Sequence, residues 1–153
     1  MISVIILTKN SGEKISKVLK SIKLLNGEIL VLDDHSTDKT VSIAKDLGAR
    51  VEKQTGNGYA EKRNLGLKLA KGDWIFYLDS DEILTPEVVD EIKKSIEIIE
   101  YSAYAIARKN IILGREMKHG GQWPDYQKRF FKRVSLREWR GDLHESPMFK
   151  GSL

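Results

Sequence analysis

Carboxylates are the residues here with the most chemistry to offer. Asp79, Asp81 and Glu82 fall within four residues at the end of the run Asp73-Trp74-Ile75-Phe76-Tyr77-Leu78. That run is aromatic and β-branched, as a buried strand of a parallel sheet would be. Asp79 and Asp81 stand two apart, so on a chain that stays extended their side chains share one side and can converge on one hard cation. The other reading is a solvated acidic turn ahead of a helix starting at Thr85-Pro86-Glu87. A second acidic group, Asp33-Asp34-His35-Ser36-Thr37-Asp38, follows the apolar run Glu28-Ile29-Leu30-Val31-Leu32, and a polar turn, Thr8-Lys9-Asn10-Ser11-Gly12, follows the opening run Ser3 to Thr8.

The elements that must position these residues alternate regularly. After the first strand, Ile15, Val18, Leu19 and Ile22 keep helical spacing with lysines on the other side, and Asn26-Gly27 stops the helix. After the second strand, Ser36 or Thr37 can cap a helix whose core face would be Val41, Ala44 and Leu47, with Gly48 at its end. Arg50-Val51-Glu52 is a brief third strand, and Gly56-Asn57-Gly58 opens a helix running through Ala70. Strand and helix in alternation predict an α/β fold with a mostly parallel sheet and right-handed crossovers. The first, second and fourth strands then end on one rim, where two acidic clusters need cations to be tolerated. A divalent metal carrying a diphosphate would supply that charge, and Mg2+ or Mn2+ suits hard oxygen ligands in a chain without cysteine. Neither Gly-x-Gly-x-x-Gly after the first strand nor Gly-x-x-x-x-Gly-Lys-Ser/Thr is present, which disfavours a dinucleotide or P-loop site.

The chain has 153 residues, 41% hydrophobic and 31% charged, enough for one globular domain with a proper core. The absence of cysteine excludes thiolate chemistry and a disulfide framework. No apolar run reaches the length of a membrane span, and the first residues turn polar too soon for a signal peptide, so a cytoplasmic location is expected. Residues 1–100 hold 15 Lys/Arg against 17 Asp/Glu, whereas residues 101–153 hold 11 against 5. That surplus of six positive charges is either a solvated face or a patch for nucleic acid, anionic headgroups or an acidic substrate.

Taken together, four segments resemble glycosyltransferase family 2 with its GT-A fold: Thr8-Lys9-Asn10, Val31 to Thr40, Gly58-Tyr59-Ala60-Glu61-Lys62-Arg63-Asn64-Leu65-Gly66, and Asp79-Ser80-Asp81-Glu82. The last third resembles the bacterial subgroup that includes lipopolysaccharide-core glucosyltransferases, through Arg108 to Gly114, Tyr126-Gln127-Lys128-Arg129-Phe130-Phe131 and Gly141-Asp142-Leu143-His144-Glu145. The resemblance implies one GT-A domain over 1–153. Residues 1–100 would bind the nucleotide sugar, and 101–153 would form a smaller, antiparallel, acceptor-side half. It also implies either C-terminal truncation or a minimal catalytic core, because the helices such enzymes usually carry beyond this point are missing.

The implied activity is inverting transfer from a nucleotide-diphosphate sugar, UDP before GDP by family habit, to a glycan or lipid-linked acceptor in cell-envelope synthesis. Thr8, Asn10, Asp33, Asp34, Arg63 and Asp79 would bind the nucleotide, with either Asp33 or Asp34 reading the base. Asp79 and Asp81 match the family's Asp-x-Asp at the metal. Single displacement needs a base for the acceptor hydroxyl. The Glu-Asp pair that many members use is missing, so the resemblance points to Glu145, with Asp142 in reserve. His144 would orient Glu145, touch the diphosphate or join Asp79 and Asp81 on the metal. Trp123, Trp139, Phe130 and Phe131 suggest apolar packing under the acceptor, with a ring at Trp123-Pro124 for sugar stacking and core packing favoured for Phe130 and Phe131. Gly120-Gly121 marks a lid-like loop. The basic surplus suits an anionic acceptor and peripheral contact with an anionic membrane rather than nucleic acid. Two rivals remain. One is a non-catalytic nucleotide- or glycan-binding module of the same fold. The other is an aspartate-dependent phosphohydrolase, which Ile83 fits poorly.

Overall fold

A computed structural model describes residues 1–54, 56–112, 114–117, 123–141 and 144–153. The chain runs β1 (Ile2–Thr8), α1 (Gly12–Ile22), β2 (Glu28–Asp33), α2 (Thr40–Asp46), β3 (Arg50–Lys53), α3 (Tyr59–Leu69), β4 (Trp74–Asp79) and α4 (Pro86–Ser95). It continues with β5 (Ala103–Arg108), β6 (Ile111–Ile112), β7 (Arg115–Glu116), β8 (Asp125–Lys132), β9 (Leu136–Arg140) and β10 (Ser146–Phe149).

Six strands form one sheet in the order β3-β2-β1-β4-β8-β5. The first four are parallel, while β8 runs antiparallel to both β4 and β5. β9 and β10 make a separate antiparallel hairpin. This is the mostly parallel α/β architecture that the alternation of apolar runs predicts, with the smaller antiparallel part that the family resemblance implies.

Side-chain parity divides the core. Ile2, Val4 and Ile6 of β1, Trp74, Phe76 and Leu78 of β4, and Phe130 of β8 face the side covered by α1, α2 and α4. Ile5, Ile75, Tyr77 and Phe131 face the opposite side, where α3 and the β9 hairpin lie. Helix α1 buries Ile15, Val18, Leu19 and Ile22, the stripe its spacing predicts. Helix α4 starts as its sequence suggests, with Thr85 Oγ1 accepting from Val88 N–H and Pro86 at the first helical position. On α3, Gly66 lets the helix lie close to the sheet, since a Cβ there would stand 2.6 Å from Ile5 Cγ2.

Helix α2 departs from the expected reading. Its buried residues are Thr40 and Ala44, while Val41 and Leu47 are half-buried. Neither Ser36 nor Thr37 caps it. Asp38 accepts from Thr40 N–H, while Ser36 Oγ and Thr37 N–H bond across to Asn10. Thr40 is buried because its Oγ1 accepts from the N–H groups of Ser11 and Gly12 at the start of α1, a contact between loops that no local pattern announces.

Candidate active site

Strand register explains why the acidic clusters meet. Thr8 lies beside Asp33 across β1 and β2, and Leu7 lies beside Asp79 across β1 and β4, so both carboxylate-bearing ends stand level with the end of β1. Asp34 continues that line, its N–H donating to Thr8 O at 2.9 Å. The result is a cleft of about 510 Å3 outside the carboxyl ends of the parallel strands, where open α/β sheets build their sites. Thr8, Asp34, Lys62, Arg63, Asp79, Asp81 and Glu145 are among the residues lining it.

Asp34 forms one wall. Lys62 Nζ donates to its Oδ2 at 3.2 Å, Lys9 Nζ stands 3.6 Å away and His35 Nδ1 lies 3.5 Å from Oδ1. The hydrogen bond from Lys62, helped by His35 and Lys9, outweighs the opposing effect of burial and lowers the Asp34 carboxyl to about 2. It is a firm acceptor throughout the physiological range. Asp33, by contrast, is buried, and its Oδ2 accepts from Ser36 N–H, which shapes the loop rather than the cleft wall. The tyrosine ring of Tyr59 sits on the lip, 60% exposed.

The opposite wall is a chain of alternating charges. Parity puts Asp79 on the face of Tyr77, and Arg129 on the face of Phe131, so the two meet across neighbouring strands. Arg129, 7% exposed, donates through Nη2 to Asp79 Oδ2 at 2.7 Å and to Glu82 Oε1 at 3.1 Å. Glu82 Oε2 in turn accepts from Asp79 N–H, and Arg108 adds a second cation 3.4 Å from Glu82 Oε1. Burial alone would raise the Asp79 carboxyl, but the hydrogen bond and charge of Arg129, followed by Arg63 and Arg108, outweigh it and hold the group below its ordinary value. Arg63, also 7% exposed, stands 3.6 Å from Asp79 Oδ1 and 3.2 Å from Glu145 Oε1.

Glu145 reaches the cleft from the loop between β9 and β10. Gly141, at the start of that loop, has φ +107°, and a Cβ there would stand 2.7 Å from the His144 carbonyl oxygen, so the turn that delivers Glu145 requires glycine.

The expected metal ligands are not gathered. Among the described residues no three His, Asp or Glu side chains form a cage. Asp79 is engaged by two guanidinium groups, whereas Asp81 and His144 are exposed. A hard cation in a diphosphate site needs only one or two protein carboxylates, the rest being phosphate and water oxygens. Asp81, exposed on the cleft wall, suits that role as a single protein ligand. The three-residue set Asp79, Asp81 and His144 does not assemble.

The remaining expected residues separate in the same way. Thr8 lines the cleft, while Asn10 ties the β1–α1 loop to the β2–α2 loop. Asp142 and Gly120-Gly121 lie outside the described residues. Trp139, Phe130 and Phe131 are core residues. Trp123 is 42% exposed, as a stacking ring would be.

The family model for glycosyl transferase family 2 matches residues 3–151. The chain belongs to glycosyltransferase family 2. An uncharacterized glycosyltransferase of Rickettsia bellii is 41% identical over 92 residues, which is 60% of this chain and 31% of that protein. The glycosyltransferase SunS of Bacillus subtilis is 31% identical over 147 residues, covering 94% of this chain and 34% of SunS. The chain thus spans about a third of the length of these curated relatives. Among solved structures, residues 1–349 of TarS from S. aureus superpose with a TM-score of 0.63 at 22% identity, over 87% of this chain and 47% of that one, a likeness of fold. Glucosyl-3-phosphoglycerate synthase of Mycobacterium tuberculosis, in complex with Mn2+, UDP and phosphoglyceric acid, gives a TM-score of 0.58 at 29% identity over 67% and 41%.

Against this family background, Arg129, Lys62, Tyr59 and Gln54 are cleft-wall or supporting residues that the motifs did not single out. Arg129 had only a partial signal, since it lies two residues before Phe131 but beside a second cation, Lys128, that the same strand leaves exposed. Gln54, buried beside the cleft, had none.

Proposed function

We propose that this chain carries the donor site and catalytic carboxylate of an inverting glycosyltransferase using a UDP-type sugar donor. The observation that carries this reading is the delivery of Asp34, the Asp79–Asp81 pair and Glu145 by three separate chain segments to one cleft of about 510 Å3, a volume in the range of ligand pockets. Asp34, held ionised by Lys62, is the acceptor for an imide N–H of uracil, and Tyr59 is the ring beside it. The Mn2+ and UDP in the complex of the M. tuberculosis relative support this donor class. Asp81 would hold a divalent cation, which when bound would supply charge to stabilise the departing diphosphate.

Glu145 is the proposed base. Its carboxylate takes the acceptor hydroxyl proton as that oxygen bonds to the anomeric carbon, while the bond from anomeric carbon to diphosphate oxygen breaks and UDP leaves with the electron pair. The positive surplus of residues 101–153 favours a glycan or lipid-linked acceptor bearing negative charge, of the cell-envelope or lipopolysaccharide type, met at an anionic membrane surface. Salt-sensitive sedimentation with anionic vesicles is expected, and its absence at low salt would remove the membrane part of the proposal.

The decisive experiment is thermal unfolding with UDP, GDP and CDP, each with and without Mn2+ or Mg2+. UDP should stabilise most, and a lack of stabilisation by every nucleotide would overturn the donor site. Glu145→Gln should lose UDP release from a turned-over UDP-sugar by about 100-fold or more, in the range of general-base effects, while keeping the nucleotide-induced shift. A binding module would show no turnover to lose.

A further inference from the structure

We infer that Arg63 is a positioning residue that fixes Glu145 and couples it to the donor-site carboxylate Asp79, rather than a contact of the nucleotide. The guanidinium lines the cleft and is held there by two carboxylates and two rings. Its Nε donates to Glu145 Oε1 at 3.2 Å, and Nη2 stands 3.2 Å from the same oxygen, so two nitrogens grip one carboxylate atom. Nη2 also stands 3.6 Å from Asp79 Oδ1. The guanidinium carbon lies 4.6 Å from the Trp139 ring centre and 5.4 Å from that of Tyr77, and cation–π contacts in such buried surroundings are strong.

The rings are fixed in turn. Tyr77 Oη donates to the Arg63 carbonyl at 3.0 Å. Asn64, the next residue on α3, grips the Trp139 backbone with both ends of its amide: Nδ2 donates to Trp139 O at 2.9 Å, and Trp139 N–H donates to Oδ1 at 2.7 Å. The hairpin whose connecting loop carries Glu145 is therefore clamped to α3 through β9, and Arg63 reaches from α3 to that loop. Lysine could supply the charge but neither the fork nor the flat stacking surface.

The inference rests on Glu145 as the base, and its test separates the two. The Arg63 Nε–H resonance, assigned by its loss in Arg63→Lys, should shift in Glu145→Gln and stay in place when the protein is saturated with UDP. UDP affinity by calorimetry should stay within about threefold of wild type in Arg63→Lys and Arg63→Gln. UDP release from UDP-glucose should fall through kcat with the donor KM held. Arg63→Gln should be affected more than Arg63→Lys, and the double variant Arg63→Gln/Glu145→Gln should lose no more than Glu145→Gln alone. An Nε–H signal that ignores Glu145→Gln, or a tenfold or greater loss of UDP affinity in Arg63→Lys, overturns the inference. Wild-type turnover in Glu145→Gln would instead overturn the base assignment, while the resonance and affinity arms still decide whether Arg63 serves Glu145 or the nucleotide.

Discussion

Asp34 is the residue where charge, position and proposed role meet most closely. A hydrogen bond to an ionised group contributes roughly 1.5–3 kcal/mol, so Asp34→Asn should weaken UDP binding by about 10- to 150-fold, measured by calorimetry at neutral pH. The same residue leaves a mark on acid stability. Its folded carboxyl is lowered to about 2 by Lys62, below its ordinary 3.8, so its contribution is fully present above about pH 4 and is lost as pH falls towards 2. The pair is partly exposed, which limits that contribution to at most about 1 kcal/mol. In Asp34→Asn the fall in stability between pH 4 and 2 should be correspondingly shallower in urea titrations. The sequence showed that Asp33 and Asp34 belong to the rim but not which faces the cleft. That choice depends on Ser36 N–H turning back onto Asp33, a loop geometry that residue types do not encode.

At the scale of elements, β1, β2, β4 and α1 follow from apolar periodicity because each buries one continuous face or both, whereas α2, α3 and β3 bury few apolar side chains and are placed by their neighbours. Beyond Tyr101, β8 mixes charged and aromatic residues without a clean alternation and pairs with β4 and β5, both distant in sequence, so the partners of residues such as Arg129 follow only once β8 is placed between those two strands. Helix α3 shows what close packing demands. Gly66→Ala would set a Cβ 2.6 Å from Ile5 Cγ2 and 3.2 Å from Leu32 Cδ1. Overpacking costs about 1–3 kcal/mol, and alanine's better helix propensity returns about 1. A net loss of about 1 kcal/mol, seen as a Tm lower by about 2–4 °C, is expected. Because α3 also carries Lys62 and Arg63, UDP release should fall with it. An unchanged Tm would mean that the helix lifts from the sheet without strain.

For the molecule as a whole, the two halves suggested by charge are one folding unit in our reading. Strand β8 fills the gap between β4 and β5, Phe130 and Phe131 enter opposite cores, Glu145 completes the cleft begun by residues before position 100, and Arg129 holds Asp79 in its wall. A fragment of residues 1–100 should therefore expose the β4 edge and the Trp74 and Tyr77 rings, bind hydrophobic dyes and show no sharp unfolding transition. A cooperative, nucleotide-binding fragment would refute that unity. Among the described residues no helix is long and apolar enough to cross a membrane.

The outer strands of the sheet also bear on behaviour at high concentration. β3, on one border, is only four residues long and includes Arg50, Glu52 and Lys53, while at the other border the Ser152 carbonyl accepts from the N–H groups of Ser102 and Ala103 where β5 begins. A second molecule docking strand to strand would have to bury those charges or displace that carbonyl. Crowded solutions of this protein should therefore resist growth into fibrils.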